Sequence, residues 1–200
     1  MNAIETNGSR AVRAAVLCPS AWIRAYEGRQ DQYDLAIGVN RAAAMYACDV
    51  WVCRDHYTFR LAYEGGLTGP VGRPRICTCR SMRRRMERQW PASREHEWID
   101  INTLNPPAQG VRWRSFSATT AIVAAYHMGA TRIDVYGMAW QAQGADADGF
   151  ADARQKRTEG RFRKEAEIVA LLAGGLAAEG VTLRRMSASG EAVKMKRLIA

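Results

Sequence analysis

Short apolar runs, each closed by a turn-forming or polar residue, recur along this chain with helical stretches between them. Arg13 to Leu17 is the first run, ended by Cys18-Pro19-Ser20. Asp34 to Val39 follows, ended at Asn40, and then Asp49 to Cys53, which leads into Arg54-Asp55-His56. Arg75 to Cys79, Glu97 to Ile101, Arg132 to Tyr136 and Val181 to Arg185 continue the series. Strands that alternate with helices at this spacing imply βαβ units, and βαβ units build a parallel sheet. The expected fold is therefore α/β: a Rossmann-like three-layer arrangement with a mainly parallel sheet, in a single domain. A chain of 200 residues is long enough to bury one such core.

The helical patterns fill the gaps. Ala21 to Gly28 places Trp22, Ile23 and Tyr26 on one face, and Arg41 to Ala47 is a small-residue helix. Tyr57 to Glu64 is stopped by Gly65-Gly66, and Ser81 to Trp90 is strongly basic with Ser81 as N-cap. Ser117 to Met128 is capped by Ser117 and stopped by Gly129, while Phe162 to Glu179 is long and amphipathic. The expected division is residues 1–12 as a disordered lead, 13–186 as the domain and 187–200 as a basic tail.

The apolar runs are too short to span a bilayer, and no secretory leader is legible. Five cysteines, Cys18, Cys48, Cys53, Cys77 and Cys79, lack zinc-ribbon spacing and mostly adjoin apolar runs. They read as reduced, buried thiols of a cytoplasmic protein, and no metal site is expected. The net charge of +9 favours an anionic partner. It is concentrated in Arg73 to Arg94, in Arg154 to Lys164, and in Lys194, Lys196 and Arg197.

In an open parallel sheet, ligands bind beyond the carboxyl ends of the strands. Ser20, Asn40, the Asp55-His56 pair and Gly137 fall there. Ser20 and Asn40 sit at strand-to-helix turns, where backbone N–H groups and a helix dipole attract anions; each also suits the plain role of an N-cap. Gly38 lets a ligand or a neighbouring backbone approach the strand closely. His56 beside Asp55 is the best-placed base, whereas His96 is in a charged loop and His127 is near a helix end. No G-x-G-x-x-G, P-loop or G-x-S-x-G motif is present. Asp146, Asp148 and Asp152 lie in an acidic loop without the full calcium ligand series. Magnesium enters only through a bound phosphate held by one or two of these carboxylates.

Three segments carry a resemblance. Ala15 to Trp22, Ala36 to Arg41 with Asp49 to Asp55, and Ser117 to Gly137 resemble, in order and spacing, motifs of the MptE-like proteins and the bacterial lipooligosaccharide sialyltransferases. The chain looks most similar to small phage and prophage proteins of this superfamily, often labelled norphogenetic proteins. The resemblance implies a cytidine nucleotide-sugar site at Ser20, Asn40 and Ser117. Leu17, Phe116 and Ala139 stand where the family pattern has Gly, Thr and Asp, and no residue corresponds to the catalytic histidine of the sialyltransferase branch. The functional expectation is a nucleotide- or nucleotide-sugar-binding, glycosyltransferase-like transferase, with Asp55 or His56 as base and Ser20, Asn40, Ser117 and Gly137 at the ligand. Its alternative is a non-catalytic, nucleic-acid-associated phage protein. That would bind through the basic helix, with Trp90, Trp98 and Trp113 as stacking groups.

Overall fold

The computed structural model describes residues 11–64, 71–140 and 158–193. Seven parallel strands form the sheet: β1 (Val12–Leu17), β2 (Leu35–Val39), β3 (Val50–Val52), β4 (Arg75–Thr78), β5 (Trp98–Asp100), β6 (Ala130–Tyr136) and β7 (Thr182–Met186). An eighth, β8 (Ala192–Val193), adds antiparallel to β7. The order is β5-β4-β3-β2-β1-β6-β7-β8. The four α-helices are α1 (His56–Tyr63), α2 (Arg80–Gln89), α3 (Ser117–His127) and α4 (Glu159–Ala178). This is the Rossmann-like α/β architecture that the alternating runs predict.

The runs are nearly all apolar because a parallel sheet is covered on both faces. In β1, Ala14 and Val16 join the core beneath α3 and α4, while Ala15 and Leu17 point to the opposite face. The same alternation divides Val50 and Val52 from Trp51 in β3. Helix α3 is buried almost all round, from Ala118 to Ala125, and its alanines let it lie close on the sheet. Its Thr119 and Thr120 hydroxyls donate to backbone carbonyls at Trp113 and Phe116, so their burial leaves no polar group unpaired. On the other face Trp51 stacks on Phe59 at 5.3 Å.

Sequence expectations differ from the structure at several ends. The two segments after β1 and β2 are short 3₁₀ turns, Ala21–Tyr26 and Asn40–Ala44, not α-helices. Ser81 does not cap the basic helix; it lies inside α2, whose N-cap position is Cys79. Ser117 does not cap α3 either, being its first residue after Phe116. Part of the expected tail is folded: Arg29 Nη1 donates to the Gly190 carbonyl at 3.1 Å, against the turn before β8. Gly65-Gly66, the Asp146–Asp152 loop and Lys194 to Arg197 lie outside the described residues. No helix of the described residues is long and apolar enough to cross a membrane.

One charged group is fully buried in the sheet. Asp134 of β6 accepts hydrogen bonds from Arg184 (2.6 and 2.8 Å), from Arg132 (2.9 Å) and from the Tyr33 hydroxyl (2.9 Å). Tyr136 in turn donates to Tyr33 at 2.7 Å. Burial pushes the Asp134 carboxyl up, but the bonds from Arg184, Arg132 and Tyr33 outweigh it and hold the group below the usual carboxylate range.

Candidate functional site

The strand order reverses between β1 and β6. From β1 the chain passes to β2 on one side, and from β6 to β7 on the other. Loops leaving the two carboxyl ends therefore diverge, and a crevice opens between them. Cys18 to Ser20, Val39 and Asn40, the start of α3 at Phe116 to Ala118, and Gly137 to Trp140 line it. The first turns of α4 add Arg161, Phe162 and Glu165. Its volume of about 110 Å³ is several times what one water needs.

The floor depends on a glycine. Gly137 has φ +72°, and a Cβ there would lie 1.9 Å from the Cys18 carbonyl oxygen. The two strand ends meet only because that Cβ is absent. Gly38 serves a neighbouring backbone and not a ligand: its Cβ would lie 2.9 Å from Ala43 Cα and 3.0 Å from Cys48 Sγ.

Among the described residues, three that line the crevice carry a buried polar atom without a hydrogen-bond partner: Ser20 Oγ, Asn40 Oδ1 and Trp140 Nε1. Ser20 is 6% exposed, and its side chain does not cap the turn that follows. Asn40 is the first residue of its turn and caps nothing. It has φ +50°, a left-handed conformation that non-glycine residues hold at a cost of about 1–3 kcal/mol. Its carbonyl is fixed there by the Trp51 indole N–H at 2.8 Å. Trp140 also has positive φ, +53°. Native proteins pair buried polar groups, so each of these atoms is left for a water or a ligand to satisfy.

The electrostatics favour an anion. No side chain caps α3, so its first N–H groups and the positive end of its dipole open on the crevice beside Ser117. Arg161 adds a guanidinium, held 5.7 Å from the Phe116 ring centroid. Thr158 caps α4 through the Arg161 N–H and fixes where that turn begins. Arg54, beyond β3, is pushed below the usual guanidinium value by burial, with the like charge of Arg114 adding to the shift.

The structure thus places Ser20, Asn40, Ser117 and Gly137 around one crevice and leaves Asp55 and His56 out of it. Asp55 is the N-cap of α1: its Oδ1 accepts from the Tyr57 N–H at 2.9 Å. His56 Nε2 shares a 2.5 Å hydrogen bond with Gln89 Oε1, and the ring packs 5.2 Å from Trp90. Both residues tie α1 into place, so the expected base is not theirs to supply at this crevice. Trp90, Trp98 and Trp113 are likewise packed, not presented: Trp113 is 4% exposed, and Trp90 and Trp98 lie against Phe59. Trp140 and Glu165 are polar crevice residues that the sequence did not single out, and Arg161 figured there only as one charge of the Arg154 to Lys164 cluster. Only the strand-end position of Gly137-Met138-Ala139-Trp140 hinted at the first.

Among the described residues no group of three or more His, Cys, Asp or Glu side chains is arranged to hold a metal ion. None of the five cysteines is in a disulfide. Burial pushes Cys48 and Cys77 up to about 12, which suits packing and not nucleophilic chemistry.

No family model and no curated protein matches this chain. Among solved structures it is similar to a mammalian sialyltransferase, at 12% identity and a TM-score of 0.43, over 88% of this chain and 69% of that one.

Proposed function

We propose that this protein binds a nucleotide or nucleotide sugar in the crevice between β1 and β6, and that it works as a glycosyltransferase-like transferase. The carrying observation is that Ser20, Asn40 and Trp140, each with a polar atom buried and unpartnered among the described residues, line one crevice with the uncapped start of α3. A phosphate suits the helix start and Arg161, while Ser20 and Asn40 suit sugar and base groups. Glu165 is the carboxylate lining the crevice among the described residues, and its assigned role is to take a proton from an acceptor hydroxyl. Magnesium would accompany the phosphate instead of occupying a site of its own. The motif resemblance is the ground for a phage or prophage origin and a host-cytoplasmic setting.

A thermal-shift panel of nucleotides and nucleotide sugars tests the binding step. A ligand at a hundred times its Kd adds about 2.7 kcal/mol of stability, which raises the Tm of a chain this size by roughly 5–10 °C. A panel that leaves Tm unmoved throughout removes the nucleotide reading. Glu165→Gln then separates binding from transfer: the shift persists, and release of free nucleotide from the sugar donor falls by at least a hundredfold, the low end of the roughly 10²–10⁴ range of general-base contributions. Unchanged release would take the base role from Glu165.

A further inference from the structure

We infer that Trp140 contacts the ligand directly, donating its indole N–H to a phosphate oxygen of the bound nucleotide, with Arg185 as the residue that positions it; this rests on the nucleotide reading above. The indole nitrogen is a donor only, so its missing partner is an acceptor. Trp140 lines the crevice, and within the described residues its indole nitrogen is buried and has no partner. The backbone that carries it is held at φ +53°, a conformation that a bulky residue keeps only where its surroundings insist on it.

Those surroundings are a three-layer stack. The Arg185 guanidinium lies 4.8 Å from the Trp140 ring centroid and 5.5 Å from that of Trp22. Its Nη1 donates to the Met138 carbonyl at 3.3 Å, in the same strand-end loop as Trp140. Trp22 belongs to the turn after β1, and Arg185 to β7. The stack therefore joins both banks of the crevice and fixes the indole by cation–π contact on a planar cation.

The remaining chemistry of the crevice selects the ligand group. The uncapped N–H groups of α3, Arg161 and Trp140 Nε1 are donors, and Glu165 is the one carboxylate among the described lining residues. A cluster of donors, one of them a cation, matches a group with several anionic oxygens. Asn40 Oδ1 is the unpartnered acceptor, and it is left for a hydroxyl or amino group of the nucleoside.

The test titrates the common nucleoside 5′-monophosphates, each beside its own nucleoside, against the full chain by calorimetry. Trp140→Phe keeps an aromatic ring in the stack and removes the N–H. The ratio of monophosphate to nucleoside affinity should fall roughly ten- to a hundredfold, the worth of a buried hydrogen bond to a charged group. Because the ratio is taken within each variant, general loosening of the fold does not mimic the effect. Arg185→Lys keeps the charge without the planar face. It should lower the same ratio in the wild-type background and have no further effect in the Trp140→Phe background. An unchanged ratio in Trp140→Phe overturns the contact. An equal effect of Arg185→Lys in both backgrounds overturns the positioning role. A wild-type chain that binds no monophosphate overturns the nucleotide reading itself.

Discussion

Replacing Asn40 with glycine should make the ligand-free protein more stable and a worse binder. Two costs disappear with the side chain. The left-handed backbone at φ +50° is strained for any residue with a Cβ, by about 1 kcal/mol for an asparagine, near the low end of the range. The buried Oδ1 has no partner, and an unsatisfied buried acceptor costs about 1–3 kcal/mol. Glycine takes back about 0.5–1 kcal/mol through the greater freedom of the unfolded chain. The balance is a gain of about 1–3.5 kcal/mol, or a rise in Tm of about 2–14 °C for a domain of this size. The Trp51 indole bond is made to the Asn40 carbonyl, so it survives the substitution. Scanning calorimetry of the ligand-free variant, paired with titration of the best nucleotide from the panel, reads both effects. A fall in Tm would refute the reasoning, because it would mean that the asparagine side chain supports the fold. A rise in Tm with unaltered affinity would show that the strain has nothing to do with the ligand.

Asp134→Asn leaves Arg132 and Arg184 facing a neutral group inside the sheet and should destabilise the protein by about 3–5 kcal/mol, measured as a drop in urea midpoint; a loss under about 1 kcal/mol would show the cluster to be screened like a surface pair. Because the folded state holds the Asp134 carboxyl low, its contribution is complete above the ordinary carboxylate range and fades as pH falls through the folded value. Between pH 6 and pH 3 the wild type should therefore lose more stability than Asp134→Asn, and parallel losses would refute that assignment. Arg84, Arg85 and Arg88 are exposed on α2, whereas Arg83 is paired with Glu87 at 2.8 Å. Converting the three to glutamine should leave nucleotide binding unchanged and flatten the salt dependence of any nucleic-acid binding; an unaffected salt slope would make α2 a solvated face.

Much of the fold was legible because fully buried strands announce themselves as apolar runs bounded by turn residues. Val12–Leu17, Leu35–Val39 and Val50–Val52 all fall where those runs stand. What stayed hidden depended on partners far away in the chain. Asp134 and Arg184 read as polar interruptions of strands, and only the β6–β7 register sets them side by side. Ser20 and Asn40 read equally well as caps. The choice turns on a backbone angle and an empty hydrogen-bonding position, neither of which a sequence records. Asp55-His56 shows the same limit: a polar pair after a strand suits catalysis, while the structure bonds the Tyr57 N–H to the Asp55 carboxylate and leaves the pair outside the crevice. Arg161 and Glu165 entered only through a helix that returns to the crevice from late in the chain.

The pairing of β1 with β6 also sets when the protein can act during its own synthesis. Leu17 lies beside Tyr136, so one bank of the crevice leaves the ribosome long before the other exists. Until Ala130–Tyr136 emerges, β1 can be sheltered by β2 on one side but offers bare N–H and C=O groups on the other, an edge that invites foreign strands. Closing so long a loop is also entropically slow. A nascent chain stalled before Ala130 therefore carries an adhesive edge and an unformed crevice, which is complete only once β6 docks, Gly137 settles against Cys18 and α4 packs over it.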